Sequence, residues 1–167
     1  QAIMVFMKQK TFYKHKIENL IAIGRIVTVH VQRYEKNYAF PGESHDFWEM
    51  VCVEENDVIC STDGGPEFSL RAGELLFHCP DEFHTIRANG KTGAKVNIVS
   101  FECKSEAIQF FRGKKLRLPD AYAPYLDGIF QEAERTFLLP EFDPGLTRLT
   151  LRSDAALGGQ QMLRTYL

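Results

Sequence analysis

The stretch FPGESHDFWEMVCVEEND, residues 40–57, contains one predicted strand and the turn that follows it. Its second half, FWEMVCVE at 47–54, is rich in β-branched and aromatic residues and therefore predicts a strand. The polar triplet at 55–57 predicts a hairpin turn, after which DVICS at 57–61 returns as a second short strand. The stretch therefore begins an antiparallel β-structure.

Short strands continue on both sides of this hairpin. RIVTVHVQRY at 25–34 has valine at every second position from 27 to 31, which is typical of a half-buried strand. Further short strands, separated by turn residues, are predicted at 67–70, 74–78, 84–88 and 94–101. About seven strands at this spacing favour an antiparallel sandwich or barrel. The chain shows no alternation of strands and helices, which argues against a parallel nucleotide-binding sheet.

The remainder of the chain is predicted to be more helical. Residues 105–111 predict one or two helical turns, and 115–118 predict one more strand. A helix is predicted over 120–138, with Asp120 as its N-cap and an apolar stripe at three- and four-residue steps. We expect that stripe either to pack on the protein's own barrel or to form a subunit contact. A strand in TRLTLR, 147–152, and a second helix after 158 follow.

Composition excludes several classes of protein. The 167 residues suffice for one domain with an appendage, and the net charge of −2 is unlike that of a nucleic-acid-binding surface. The four cysteines have no CxxC spacing, so we expect buried free thiols in a reducing cytoplasm; they are Cys52, Cys60, Cys79 and Cys103. No signal peptide and no long apolar run is present.

Because the chain starts with Gln1 and ends in GGQQMLRTYL, the start of a helix, we expect it to be a fragment of a longer protein.

Four polar residues are candidates for chemistry. Glu43, His45 and Glu49 share one parity and would lie on one side of a regular strand, while His84 begins a later strand. In a rolled-up barrel these side chains can meet, and such a set suits Zn, Mn, Fe or Ni. Alternatively they hydrogen-bond one another or a ligand, since a buried Glu49 needs a partner. Trp48 has the opposite parity and is expected to pack.

The order and spacing of these residues resemble the two cupin motifs. The first motif is represented by Glu43, His45 and Glu49. Asn56 stands where the motif has a glycine, and asparagine suits such a position because it tolerates positive φ. The second is represented by AGELLFHCPDEFH, from Gly73 to His84. Together with FECKSEAIQFF, the helix at 120–138 and GGQQMLRTYL, the sequence resembles more closely the N-terminal effector-binding domain of AraC-type bacterial transcription regulators.

This resemblance implies a mainly β fold: a cupin-like jelly-roll, or double-stranded β-helix, barrel with a C-terminal helical appendage. Residues 1–103 would form the sensor barrel. Residues 104–167 would form a linker and dimerisation segment that leads to an absent C-terminal helix-turn-helix domain. The expected function is ligand sensing and dimerisation in a cytoplasmic transcription regulator, with no catalytic activity.

The resemblance also implies a binding site in the barrel. Its expected ligand-binding residues are Glu43, His45, Glu49, Phe77 and His84. No metal cofactor is expected; if one binds, its ligands are Glu43, His45, Glu49 and His84. The expected partners are a small-molecule effector, for which sugar is the common choice, and a second copy of the chain. DNA would bind only through the absent domain, and no membrane is involved.

Two rival interpretations stay open. In the first, the same four residues hold Fe or Mn in a metal-dependent cupin enzyme, such as a dioxygenase or a sugar isomerase. In the second, the domain is a purely structural dimerisation module without a ligand. Elemental analysis distinguishes the enzyme from the sensor, and a thermal-shift screen with ligands distinguishes the sensor from the structural module.

Overall fold

Eight strands form the body of the molecule. The structure, a computed structural model, describes residues 11–167. The strands are β1 Ile23–Tyr34, β2 Ala39–Glu43, β3 Trp48–Glu55, β4 Asp57–Thr62, β5 Phe68–Arg71, β6 Glu74–His78, β7 His84–Ala88 and β8 Ala94–Cys103.

Shorter elements and two helices follow. They are a 3₁₀ segment at Glu106–Phe111, β9 Lys115–Arg117, a 3₁₀ turn at Asp120–Tyr122, α1 Ala123–Thr136, β10 Phe137–Leu138, β11 Thr150–Leu151 and α2 Gly159–Tyr166. Within residues 11–167, no helix is long and apolar enough to cross a membrane.

The eight strands and β9 form two antiparallel sheets. The first has the order β1-β8-β3-β6-β9, and the second has the order β2-β7-β4-β5. A separate two-stranded ladder joins β10 to β11. The predicted mainly β, jelly-roll barrel with a small helical appendage is thereby confirmed. The first ten residues of the predicted barrel domain, 1–103, lie outside the described residues.

The five-stranded sheet is buried on both faces. Its inner face packs against the four-stranded sheet and includes Val51 and Val96, while its outer face packs against the helices and includes Trp48 and Phe101. Burial on both sides explains why AKVNIVSF in β8 is apolar at nearly every position. Cys52, Cys60 and Cys79 are buried as expected, Cys103 is half-buried, and all four are free thiols.

The turn after β3 has the backbone conformation that its sequence predicts. Asn56 has a φ of 64°, in the left-handed region, and its side chain donates a hydrogen bond of 2.9 Å to the carbonyl oxygen of Gly93. Asparagine tolerates this region better than other non-glycine residues. The turn between β5 and β6 uses Gly73 in the same region, with a φ of 78°.

Two predictions of local structure are wrong. Asp120 does not cap the helix, because it lies in the preceding 3₁₀ turn and α1 follows Tyr122 without a side-chain cap. Pro124 lies in the first turn of α1, where its missing N–H is not needed. The helix ends at Thr136 and not at 138, because the next two residues pair with β11.

Candidate functional site

Four polar side chains meet at one end of the barrel and form what we call the mouth cluster: Glu43, His45, Glu49 and His84. One donor atom from each lies within 4.8 Å of the donor atoms of all the others. Glu43 is the last residue of β2 and lies opposite His84, the first residue of β7. Glu49 and His84 are buried, His45 is half-buried and Glu43 is exposed at the rim. The predicted convergence of these residues is therefore seen in the structure.

The convergence does not arise from a regular strand, as the sequence predicted. β2 ends at Glu43 and β3 begins at Trp48, so His45 lies in the connection between the two sheets. Glu43 therefore belongs to the four-stranded sheet and Glu49 to the five-stranded sheet. The side chains approach each other because the two sheets face each other across the barrel.

Glu49 is held by hydrogen bonds as well as by the histidines. Its Oε2 accepts a bond of 3.0 Å from Ser100 Oγ, which in turn accepts a bond of 3.0 Å from Thr28 Oγ1. The Nε2 atoms of His45 and His84 lie 3.6 Å and 3.5 Å from its two carboxylate oxygens. The expectation that a buried Glu49 has partners is confirmed.

Both imidazoles of the mouth cluster direct Nδ1 to a backbone carbonyl oxygen and Nε2 to Glu49. Nδ1 of His45 lies 3.0 Å from the carbonyl oxygen of Phe47, and Nδ1 of His84 lies 3.0 Å from that of Glu82. A carbonyl oxygen only accepts, so each Nδ1 carries a proton and donates it. Each Nε2 is buried, faces Glu49 and has no hydrogen bond among the described residues. In a neutral ring this Nε2 presents a lone pair, which a proton or a cation satisfies.

The charges of Glu49 and His84 stabilise each other. Burial alone would raise the pKa of Glu49, but its close contacts with the imidazoles of His45 and His84 and the nearby imidazole charges lower it far below its usual range. Burial alone would lower the pKa of His84, but the close contact with the carboxylate of Glu49 and its negative charge raise it above its usual value. The metal-free site therefore favours a carboxylate beside an imidazolium.

The mouth cluster also fits a divalent metal ion. Two imidazole nitrogens and two carboxylates form a common donor set, and each histidine donates its other ring N–H to a carbonyl, as metal-binding histidines do. Ligand bonds of about 2.1 Å place neighbouring donors about 3.4 Å apart in a tetrahedral site, close to the Nε2–carboxylate distances observed. A metal would be held by Glu43, His45, Glu49 and His84.

A second buried pair lies directly behind His84. The rings of His78 and His84 are stacked, with centroids 4.0 Å apart and planes 11° apart. His78 Nδ1 lies 2.7 Å from Glu82 Oε1, and burial lowers the pKa of His78 despite this bond. The stacked ring of His78 and the hydrogen bond from His84 Nδ1 to the carbonyl oxygen of Glu82 together hold the ring of His84 in its plane.

The cavity at the mouth is small. Its volume is about 40 Å³, enough for one or two water molecules or an ion but not for a whole effector. Besides Glu43, Glu49 and His84, its wall includes Tyr34 and Pro144. Pro144 belongs to the segment between β10 and β11, which therefore forms part of the wall of this cavity. A larger ligand would extend beyond this cavity.

Comparison with known proteins gives the family. A sequence model described as "AraC-like ligand binding domain" matches residues 27–136, which is more than half of the chain and includes the whole mouth cluster. The chain belongs to this family. No curated protein sequence matches the chain.

Solved structures similar to this AraC-like ligand binding domain include cupins. A cupin protein from Bacteroides fragilis is 18% identical, with 66% of this chain and 100% of that chain covered and a TM-score of 0.45. An RmlC-like cupin with a double-stranded β-helix fold from Methanocaldococcus jannaschii is 7% identical, with 59% and 93% covered and a TM-score of 0.44. A protein from Bacillus halodurans is 12% identical, with 46% and 63% covered and a TM-score of 0.43. The chain thus spans less than two thirds of the length of this last protein.

One predicted site residue lies elsewhere in the AraC-like domain. Phe77 was expected at the barrel mouth, but it packs into the outer core and lines a cavity against the 3₁₀ segment and the helices. The physical reason is strand alternation, because its neighbours Leu76 and His78 point into the barrel. Trp48, by contrast, is only 1% exposed in the outer core, as its parity predicted.

Sequence reasoning missed several residues of the site. His30 and Gln32 line the mouth, and burial lowers the pKa of His30. Ser100 supports Glu49, and His78 stacks on His84. A signal for the first two was present, since residues 28, 30, 32 and 34 are polar or aromatic and alternate with the valines of β1. Ser100 had no such signal, because its role depends on its register opposite Glu49.

Proposed function

We propose that this chain is the effector-sensing domain of a bacterial transcription regulator. Its membership of the AraC-like ligand binding domain family supports small-molecule binding. The observation that carries the proposal is the mouth cluster, where a buried carboxylate and two imidazoles with free Nε2 atoms form a polar site at the end of an apolar barrel. Pockets with few, well-placed polar groups are typical of ligand sites.

The effector would bind through its own polar groups. Glu49 accepts hydrogen bonds, and the Nε2 atoms of His45 and His84 accept or donate according to protonation. A hydroxylated molecule such as a sugar offers both donors and acceptors to this set. Because the cavity holds only about 40 Å³, one hydroxyl would enter it while the rest of the molecule extends beyond it.

The signal would pass through the strands that carry the site. Glu49 and Met50 are neighbours on β3, and their side chains lie on the inner and outer faces of the sheet. The outer face packs against α1, which in turn packs against α2. An effector would bias the position of these helices by binding one arrangement better than another. We infer that the helices form a homodimer contact and that DNA binds through a helix-turn-helix domain of the full-length regulator.

A thermal-shift screen with a panel of sugars, polyols and small carboxylic acids tests the proposal. A ligand at 100 times its dissociation constant adds about 2.7 kcal/mol to the free energy of unfolding. We expect at least one compound to stabilise the wild type and His15→Ala, whose histidine is exposed and far from the mouth in sequence, but not His84→Ala. Stabilisation of all three proteins to the same extent contradicts a site at the barrel mouth.

A metal-dependent cupin enzyme is the second candidate. It is favoured by one specific observation, the four donor atoms within 4.8 Å of one another. Elemental analysis of protein purified without chelators separates the two candidates. Stoichiometric Fe, Mn or Zn that disappears in His45→Ala favours the enzyme, whereas metal-free protein that responds to an effector favours the sensor.

A further inference from the structure

A polar cavity lies on the outer face of the five-stranded sheet, between β8 and α1, and the proposed function does not use it. Its volume is about 320 Å³, at the lower end of the range of small-molecule sites. Its sheet side includes Asn97, Glu54 and Lys95, and its helix side includes Asp127 and Glu134. We call it the Asn97 cavity.

Asn97 is the most buried polar residue of this cavity. It lies in β8 opposite Val31 and Cys52, whose side chains belong to the outer core, so its amide also points to the outer face and towards α1. The residue is 9% exposed, and its Nδ2 donates a hydrogen bond of 3.0 Å to Glu54 Oε2.

The amide oxygen of Asn97 is left without a donor. The bond to the carboxylate of Glu54 fixes which end of the amide is the nitrogen, because two oxygen acceptors would repel each other. Oδ1 is buried and has no hydrogen-bond partner within residues 11–167. A buried acceptor without a donor is costly, so an N–H group of a ligand at this atom would be stabilising.

The cavity wall also has an excess of negative charge. Asp127 and Glu134 lie on α1, and neither forms an ion pair within 4.0 Å among residues 11–167. The basic residue of the wall, Lys95, is already engaged, since its Nζ lies 2.6 Å from Glu54 Oε1. With three carboxylates and one ammonium group, the wall attracts a cation.

The acceptors are too far apart for one metal ion. In the part of the chain that the structure describes, only the mouth cluster brings three or more such donor atoms within 4.8 Å of one another. Asp127 and Glu134 are seven residues apart, so about 10 Å separates them along the axis of α1. The buried Phe130 and the half-buried Val31 form the apolar part of the wall. These features fit an elongated organic cation.

From this arrangement we propose that the Asn97 cavity binds a linear aliphatic polyamine. The two terminal ammonium groups pair with Asp127 and Glu134, and an inner amine donates to Asn97 Oδ1. The methylene groups between them pack against Val31 and Phe130. Because the two carboxylates of α1 are exposed, each ion pair is weak alone and is screened by salt, so binding needs all three contacts.

The proposal does not depend on effector binding at the mouth. The two sites share no residue, since the mouth lies on the inner side of the five-stranded sheet and the Asn97 cavity on the outer side. Loss of one site therefore leaves the other to be measured.

Isothermal titration calorimetry at low ionic strength with spermidine tests the proposal. We expect spermidine to bind the wild type with one site per chain. 1,8-Octanediol, which has the same backbone length and no charge, should not bind, and Mg²⁺ at the same ionic strength should not displace spermidine.

Exposed carboxylates provide a matched pair of variants. Asp127→Asn/Glu134→Gln should weaken spermidine binding about tenfold, because it removes both ion pairs. Glu106→Gln/Asp120→Asn removes two exposed carboxylates that do not line the cavity and changes the net charge by the same amount. This control should keep the affinity within about twofold of the wild type.

A third variant tests the buried amide. Asn97→Val leaves the net charge unchanged and should weaken spermidine at least about fivefold, because the buried acceptor is lost. The exposed double variants keep the test valid if Asn97→Val does not fold. Equal losses in the two double variants, displacement of spermidine by Mg²⁺, or a wild type without saturable binding would each overturn the proposal, because spermidine would then be only a counter-ion.

Discussion

The Nε2 atom of His84 lies 3.5 Å from Oε1 of Glu49, and the two side chains are only 4% and 10% exposed. A lone carboxylate at such a depth would be costly, and so would a lone imidazolium. Together they are tolerated, because Ser100 also donates to the carboxylate and the carbonyl of Glu82 accepts from the ring. This pair is the centre of the polar site, and it makes the stability of the domain depend on pH.

The stabilisation contributed by the pair of Glu49 and His84 should fall on both sides of neutrality. Glu49 has a lowered pKa in the folded state, so its contribution is present above about pH 4.5 and is lost as the pH falls through the folded value. His84 has a raised pKa, so its contribution is full below about pH 6.5 and is lost as the pH rises through the folded value. Urea denaturation in the presence of a chelator measures both limbs.

Glu49→Gln isolates the alkaline limb. Without the carboxylate, burial dominates at His84 and lowers its pKa, so the free energy of unfolding of the variant should rise relative to that of the wild type between pH 6 and 8. Subtracting the free energies of unfolding of the two proteins at each pH removes the contributions of the titratable groups that both proteins contain. Parallel pH profiles over this range would show that the pair does not stabilise the imidazolium.

Trp48 should be one of the most costly residues to truncate. It is 1% exposed in the outer core, and replacing a buried Trp by Ala costs about 3–5 kcal/mol. Phe110→Ala is the matched control, because that ring is 61% exposed and should cost less than about 0.5 kcal/mol. Denaturation followed by circular dichroism is the measurement, since Trp48 is the only tryptophan of the chain. Similar losses for both variants would mean that the outer core is loosely packed.

The turn at Asn56 should accept glycine but not a β-branched residue. With a φ of 64°, Asn56→Val introduces strain of about 1–3 kcal/mol, whereas Asn56→Gly relieves the backbone and loses only an exposed hydrogen bond to Gly93. We expect the free energy of unfolding of Asn56→Gly to stay within about 0.5 kcal/mol of the wild type. A valine variant as stable as the glycine variant would contradict a left-handed turn at this position.

Much of the fold could be predicted because strand alternation and turn chemistry are local. The polar triplet at 55–57 shows this, since its turn-forming residues were enough to predict the hairpin between β3 and β4. β2 was less readable, because its sequence AFPGE contains a proline and a glycine, which usually interrupt strands. The extent of α1 depended on the ladder between β10 and β11, which is a contact between distant residues.

The site was predicted only in part, because the five-stranded sheet is apolar on both faces. Both of its faces are apolar, so alternation groups Phe77 with Leu75 but does not say which group faces the barrel. Glu49 could be assigned to the inside because a buried carboxylate needs partners. Phe77 is apolar and needs no polar partner, so nothing in the sequence placed it on either face. Its place on the outer face follows only from the packing of the helices.

The contact between α1 and α2 should depend on a glycine at position 159, where a side chain would collide with α1. A Cβ atom at Gly159 would lie 2.5 Å from Oγ1 of Thr136, so Gly159→Ala should destabilise the domain by about 1–3 kcal/mol. Thr136 Oγ1 is buried and has no hydrogen bond within residues 11–167, so Thr136→Ala should cost little and should make room for the added methyl group. In a double-mutant cycle we expect the pair to recover at least about 0.5 kcal/mol. Strict additivity would show that the two helices do not touch at this point.

The most direct test of ligand recognition at the barrel mouth is a nitrogen-15 NMR titration of the histidine side chains with any compound that stabilises the domain. A compound bound at the mouth should shift the Nε2 resonances of His45 and His84, while the resonances of His15, which is exposed, should stay unchanged. A stabilising sugar or polyol that leaves both Nε2 resonances where they were would contradict ligand recognition at the barrel mouth.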